Sequence, residues 1–368
     1  MSSSLYPLVV TPITMEKPWG QRRHPLAVYG FASEAKLGEV WLTADGTVNS
    51  LVANGPLAGK TLGSVSRLWT DKFLGTSLGN FIERPFPILL KFLHASEYLS
   101  VQVHPDDDRA RRLEGFGTGK NEAWYILNAE PSSELVLDLK PGLNKNDLER
   151  ALNTDQFETV LGRTSARTGQ VHVIHAGRLH AVGPGVTLFE IQQNSDVTYR
   201  FFDWHRLGDD GRPRSLHLEK ALESMDLHQV CSTPFTGLGY EKDGVEVTHL
   251  VAVQSFCLEK WVVRQRLYHA TNSLCFEILT ALSGVGTLLA ETSRAAIVLS
   301  PGTTVILPAS LGAYSLQSQD SLTLLHSWMP DRVNDVVCPL LAAGFKADDI
   351  EQLGGPCRPN DLSSLLRY

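Results

Sequence analysis

The stretch Tyr98-Leu-Ser-Val-Gln-Val-His-Pro changes character residue by residue, and that alternation predicts a half-buried β-strand. Side chains on a strand project to opposite faces in turn. Leu99, Val101 and Val103 therefore share one face, and Ser100, Gln102 and His104 share the other. Pro105 has no amide hydrogen to donate and ends the strand. Gln102 and His104 thus stand as neighbours on one surface, and both carry atoms that bind metal ions.

Two further ligand types flank this strand in sequence. Glu122 opens the apolar run Glu122-Ala-Trp-Tyr-Ile-Leu, and His180 follows a turn in His175-Ala-Gly-Arg-Leu-His-Ala-Val-Gly-Pro-Gly. Two imidazoles, a carboxylate and an amide oxygen can hold a divalent transition ion and leave room for a substrate oxygen or water. Read from spacing alone, each residue also has an ordinary role. A strand histidine can be hydrogen-bonded in a core, and Glu122 can pair with Lys120 at the surface.

Short apolar runs broken by Gly and Pro dominate residues 86–140 and 170–204. Helical spacing is expected over 145–161 (Leu148, Leu152, Val160), over 215–226 beginning at Ser215, and within an insertion at 60–82. Many turn-linked strands with helices inserted predict a mainly β fold, a sandwich or jelly roll with α additions. No glycine-rich phosphate loop of either standard pattern occurs.

At 368 residues the chain has room for two domains. A net charge of −7, without a basic stripe, argues against a nucleic-acid partner, so an anionic substrate must be held by a few local cations. Five cysteines with no CxxC read as reduced, buried thiols. There is no secretion signal at the N-terminus and no apolar stretch long enough for a bilayer, so a soluble cytoplasmic protein with no membrane partner is expected.

A weaker internal repeat accompanies these features. Cys275-Phe-Glu-Ile-Leu-Thr-Ala-Leu-Ser-Gly, followed by Ile306-Leu-Pro-Ala-Ser-Leu-Gly-Ala-Tyr, echoes Trp124-Tyr-Ile-Leu-Asn-Ala and Ile174-His-Ala-Gly-Arg-Leu-His-Ala-Val. Matching Ile278 to Ile126 places Leu274 at the position of Glu122. Matching Pro308 to His175 places Ala313 at that of His180. The expectation is a second unit that keeps the strand pattern and lacks the ligands.

Six segments in order carry a resemblance: Glu16-Lys-Pro-Trp-Gly-Gln, Gly38-Glu-Val-Trp, Phe86-Pro-Ile-Leu-Leu-Lys-Phe-Leu, Leu99-Ser-Val-Gln-Val-His-Pro-Asp-Asp, Gly119-Lys-Asn-Glu-Ala-Trp-Tyr-Ile-Leu, and Ala176-Gly-Arg-Leu-His-Ala-Val-Gly-Pro-Gly. The last continues into Glu190-Ile-Gln-Gln-Asn-Ser-Asp-Val-Thr-Tyr-Arg-Phe-Phe-Asp-Trp. Through these the chain resembles the type I, zinc-dependent mannose-6-phosphate isomerases in their shorter bacterial form, from near the N-terminus to about Trp328. The resemblance implies cupin-type barrels (double-stranded β-helices), one binding metal and one metal-free. It implies a catalytic domain over 1–235; the internal echo makes 236–330 a second cupin-like domain, and short amphipathic runs predict a helical tail over 331–368.

It also implies one zinc ion per chain on Gln102, His104, Glu122 and His180, and a small sugar phosphate as substrate. Arg200 becomes the expected catalytic cation, because a guanidinium stays charged and forks onto oxygens. The alternative for Arg200 is a structural pairing with Asp203 or Asp196. Lys120 becomes a second catalytic residue, and Glu190 and Asp196 substrate-binding ones. Three departures from the family pattern stand out: His175 where Pro is usual, His94 where Asp is common, and the unmatched tail. Two other functions stay open at this point, a metal-binding cupin that senses sugar phosphates and an isomerase of a related phosphosugar.

Overall fold

A computed structural model describes residues 5–81, 84–115, 117–154, 156–208, 211–226, 235–293 and 295–367. Its strands pair antiparallel throughout and form two barrels, each made of a larger and a smaller sheet. In the first barrel the larger sheet runs, in spatial order, Ile13–Gln21, Leu37–Trp41, Ile88–Ala95, Val186–Gln193, Glu122–Ala129 and Val171–Ile174. Facing it is a sheet of Tyr199–Phe202, Val101–Val103, His180–Val182, Glu134–Leu139 and Leu161–Ser165. The mainly β, jelly-roll expectation is met.

Strand periodicity decides what faces where. In Ile88–Ala95, Ile88, Leu90 and Phe92 point away from the first barrel, while Leu93 joins its interior with Trp124, Ile126 and Leu188. The outward set meets Leu258, Ile278, Ile306 and Leu325 of the second barrel in one continuous core, so the two larger sheets pack back to back. That second larger sheet runs Leu8–Val9, Thr304–Leu307, Glu277–Ser283, Leu322–Trp328, Phe256–Val263, Val245–Val253 and Leu238–Lys242. Its outermost strand comes from the start of the chain, Leu8 opposite Ile306 and Val9 opposite Val305. Arg266–Ala270, Ala313–Ser318, Gly286–Ala290 and Ile297–Leu299 form the smaller sheet of this barrel.

The helices differ from expectation in detail. The segment 145–161 is not one helix. Lys145–Leu152 is started by a capping box at Asn144 and stops at Asn153. Phe157–Val160 is a separate 3₁₀ turn, because Leu161–Ser165 is drawn into the ladder with Glu134–Leu139. The helix expected from Ser215 begins at Leu218 with His217 before it, since the His217 amide is tied to the Arg200 carbonyl (2.9 Å). The 60–82 insertion contains Leu62–Leu68, capped by Thr61, then Thr70–Phe73 and Thr76–Phe81; residue 82 lies outside the described residues.

In the tail, Arg332–Val337, Cys338–Ala342, Ala347–Glu351 and Gln352–Gly354 are short helical turns. The expected helix at Asp361-Leu-Ser-Ser-Leu-Leu is instead a series of turns. There Asn360 Oδ1 accepts from the Leu362 amide (3.0 Å) and the Ser363 hydroxyl accepts from the Asn360 amide (2.8 Å). Val336, Val337, Leu340, Ile350, Leu353 and Leu362 bury themselves in the core between the barrels. The cysteines also depart from expectation. Cys257 and Cys275 are buried free thiols, but Cys338 is exposed and Cys357 half-buried; Cys231 lies outside the described residues. No helix among the described residues is long and apolar enough to cross a membrane.

Candidate metal centre

Four short-range facts of sequence bring the ligands together. Gln102 lies at the centre of its three-residue strand, and His104 follows it on the same face. His180 is the first residue of His180–Val182 and sits directly opposite Gln102 in the ladder. Glu122 is the first residue of its strand on the facing sheet, opposite Gln192 and Ile174. Gly177, at φ +88°, allows the tight turn before His180, and its amide donates to the His104 carbonyl (2.8 Å).

The side chains converge inside the barrel. His104 Nε2 lies 3.4 Å from Glu122 Oε2, and His180 Nε2 lies 3.3 Å from Glu122 Oε1. Gln102 Nε2 is 3.3 Å from His180 Nε2, while Gln102 Oε1 accepts from the Ser100 hydroxyl at 3.1 Å. Ligands bound tetrahedrally at 2.0–2.1 Å from one ion stand roughly 3.3 Å from one another. The observed spacing therefore suits a single divalent ion.

Hydrogen bonding points the same way. His104 Nδ1 donates to the Val197 carbonyl (2.9 Å) and His180 Nδ1 to the Arg178 carbonyl (2.8 Å), which directs both Nε2 lone pairs inward. His104, Glu122 and His180 are each about 1 % exposed, so among the described residues the Glu122 carboxylate has only the two imidazoles and Lys120 to meet it. Burial pushes the His104 imidazole down to about 4, helped by the Lys120 ammonium, and burial also lowers His180. Glu122 is driven the other way by burial, but Lys120 and the two imidazoles hold its carboxyl well below its ordinary value. At neutral pH all three present lone pairs, as metal ligands must.

Positive groups surround this set. Lys120 is drawn in by the loop before its strand, with Nζ 2.6 Å from Glu122 Oε2 and 3.1 Å from His104 Nε2. Arg200 pairs with Gln102 in the ladder, so Arg200, Gln102 and His180 form one row on adjacent strands. Its guanidinium makes no ion pair among the described residues, and its Nε is buried without a partner. Neither expected alternative partner holds it: Asp203 is engaged by Arg206 and Arg214, and Asp196 accepts from Thr47 (3.3 Å).

Glu190 points into the barrel, where Lys91 (2.9 Å) and the Trp124 indole N–H (3.2 Å) contact its two oxygens. The Trp124 ring in turn stands edge-on to His180, 5.5 Å between centroids. Asp196 is exposed, on a cavity of about 780 Å³ that Trp41, Leu89, Thr118 and Val197 also line. His175 opens the turn before His180, its carbonyl accepting from the Arg178 amide (3.1 Å). Its Nε2 hydrogen-bonds the Gly354 carbonyl (2.9 Å) and anchors the tail. His94, in place of the usual acid, bridges Thr187 (2.9 Å) and Gln21 (3.1 Å).

Sequence reasoning missed a buried charged chain beside Glu190. Lys91 also donates to Gln192 (2.6 Å), Lys17 pairs with Glu39 (3.2 Å), and the Trp41 ring lies between the two ammonium groups at 4.8 and 5.3 Å. The signal was present: a lysine amid the fully buried Ile88–Ala95 needs a partner.

Burial holds His94, His104 and His172 down to about 4. A histidine whose folded pKa lies below its unfolded value of about 6.5 contributes stability above that pH and loses it as the pH falls. Through these three groups metal-free protein should therefore melt at progressively lower temperature as the pH falls from 6.5 to about 4. Thermal melts across this range check it. A flat profile would mean that these imidazoles are hydrated.

The sequence model described as "Phosphomannose isomerase type I, catalytic domain" matches residues 14–139, and "Mannose-6-phosphate isomerase, cupin domain" matches 246–327. The chain is 33 % identical to the probable mannose-6-phosphate isomerase GmuF of Bacillus subtilis over 325 residues, 87 % of this chain and 99 % of that one. It is 28 % identical to the mannose-6-phosphate isomerase of Streptococcus mutans, over 87 % and 98 % of the two chains. The crystal structure of mannose 6-phosphate isomerase from Bacillus subtilis superposes with a TM-score of 0.77 at 30 % identity, over 87 % and 99 %. A zinc-bound mannose 6-phosphate isomerase, 15 % identical, shares the fold over 88 % and 99 % with a TM-score of 0.64.

Proposed function

Since the chain belongs to the type I mannose-6-phosphate isomerase family, we propose that it interconverts mannose 6-phosphate and fructose 6-phosphate with one zinc ion per chain. The ion is assigned to Gln102, His104, Glu122 and His180. The observation that carries this reading is the buried His104–Glu122–His180 triangle with its ligand-like spacing, each Glu122 oxygen facing an imidazole Nε2. Rotating the Gln102 amide by half a turn exchanges its oxygen and nitrogen and aims the oxygen at the same point.

Aldose–ketose isomerisation moves a proton between adjacent carbons while carbonyl and hydroxyl exchange places, and negative charge develops on both oxygens. A bound zinc ion supplies Lewis acidity at those oxygens. Arg200, uncommitted to any carboxylate, is assigned as the second positive group for the enediolate. Lys120 is assigned as the ammonium that meets the sugar oxygens beside the ligands. Glu190, fixed by Lys91 and Trp124, and Asp196 on the neighbouring cavity are assigned to orienting the substrate. We place catalysis in residues 1–235, apart from Leu8–Val9, which pairs into the second barrel, the rest of that barrel in 236–330 and the tail in 331–368; the first boundary directly follows 227–234, outside the described residues.

The deciding experiment follows isomerisation of mannose 6-phosphate by the purified protein before chelation, after it, and after zinc is returned. Activity should vanish on chelation and return with zinc, with about one equivalent of metal per chain. Full activity in metal-free protein would overturn the zinc assignment, and failure to turn over this sugar while binding zinc would overturn the substrate.

A further inference from the structure

The ladders of the second barrel reveal what occupies the position of the metal centre there. Glu122 lies opposite Ile174 and Gln192, and in the equivalent strands Glu277 lies opposite Leu307 and Trp328. Matching Leu307 to Ile174, as the sequence echo does, puts Glu277 at the place of Glu122. The echo itself had put Leu274 there, three residues away. An odd offset turns a strand over. Ile278 indeed faces the core between the barrels, whereas Ile126 faces a barrel interior. On the smaller sheet His180 lies opposite Gln102, and Tyr314 lies opposite His269.

Glu277 therefore meets Tyr314 as Glu122 meets His180, with His269 at the ladder position of Gln102. The Tyr314 hydroxyl donates to Glu277 (2.9 Å), and His269 Nε2 stands 3.6 Å away. His326 lies between Glu277 (3.3 Å) and Glu259 (3.2 Å), and His249 contacts the far oxygen of Glu259 (3.0 Å). Burial opposes a charge on His326, but the two carboxylates raise it to about 9. The isomerase site uses none of these groups.

They open into a cavity of about 630 Å³, within the range of small-ligand sites. Tyr240, Trp261 and Trp328 supply aromatic walls, and Glu259, Glu277, His269 and His326 supply polar atoms. We propose that this cavity is a second carbohydrate site, one that takes a neutral saccharide. Ring faces suit the C–H surface of a sugar. Hydroxyls both donate and accept, and this lining pairs carboxylate acceptors with imidazole, phenol and Asn272 amide donors. Asp243, Asp331 and Asp335 add negative charge against Lys242 alone on the outer wall, which repels a phosphate ester.

The test titrates zinc-loaded full-length protein with D-mannose, D-fructose and maltose by ligand-observed NMR, with choline and inorganic phosphate as comparison probes. At least one saccharide should bind with a dissociation constant of about 10 mM or tighter. Binding should persist in His104→Ala and weaken about tenfold or more in Glu277→Gln. Asn272→Trp narrows the cavity from an exposed position, so it should block binding with isomerase activity unchanged. Three results would overturn the proposal: no saccharide bound at roughly 50 mM, binding lost in His104→Ala but retained in both cavity variants, or choline bound more tightly than every sugar.

Discussion

His104→Ala should yield folded protein without metal, with kcat/KM lower by about a thousandfold or more. His104 is one of three buried groups set at ligand spacing about one point, and its Nδ1 bond to Val197 leaves only Nε2 for an ion. Removing it leaves one imidazole, one carboxylate and the Gln102 amide oxygen, a weak donor set that holds zinc far less tightly. The fold should survive, because Lys120 Nζ lies 2.6 Å from Glu122 and neutralises the remaining carboxylate. Glu122→Gln should do the same by removing the one negative ligand. Metal analysis of purified variants is the direct check. Either variant retaining a full equivalent of zinc at the same affinity would refute the ligand set.

Arg200→Ala separates charge stabilisation from metal binding. The guanidinium belongs to no ion pair among the described residues, and Asp203 keeps Arg206 and Arg214 without it. Its loss should therefore shift stability by no more than about 1 kcal/mol. Zinc content should be unchanged, while kcat falls about 10²–10³-fold, the usual consequence of removing one group aimed at developing charge. Arg200→Lys should recover only part of the rate, since an ammonium cannot fork onto two oxygens. Paired kcat and KM measurements check this. A rise in KM at constant kcat would make Arg200 a ground-state binding group instead.

The sequence carried the parts of the site that depend on strand parity. Gln102 beside His104 follows from a period of two, and Glu122 from the start of an apolar run. Features set by distant partners were not readable. Lys91 gains its meaning from Glu190, on a strand whose register with Ile88–Ala95 only the fold supplies. His175 stood out only as a departure from Pro, and its partner, Gly354 in the tail, is supplied by the fold. The internal repeat was visible as a pattern, but apolar strands match one another at several offsets. Only the hydrogen-bonded ladder distinguished Glu277 from Leu274. The segment 145–161 failed for a similar reason, because its last residues answer to a neighbouring strand.

The pairing of Leu8–Val9 with Thr304–Leu307 also bears on the order in which the chain can fold as it is made. The opening strand leaves the ribosome roughly 300 residues before its partner, an interval of about 15–60 s at usual rates of synthesis. Throughout that time the first barrel can close, while the opening strand, held on one side by the Ala53 amide on the Val9 carbonyl (2.7 Å), waits with its other edge open. The second barrel gains its edge strand only once Thr304–Leu307 has emerged. A cut at the junction between the barrels would thus leave the second with an open edge at Thr304–Leu307, a ready template for pairing with another molecule. The two barrels are consecutive in sequence but interlocked in assembly, and the nascent protein finishes the second barrel with its own beginning.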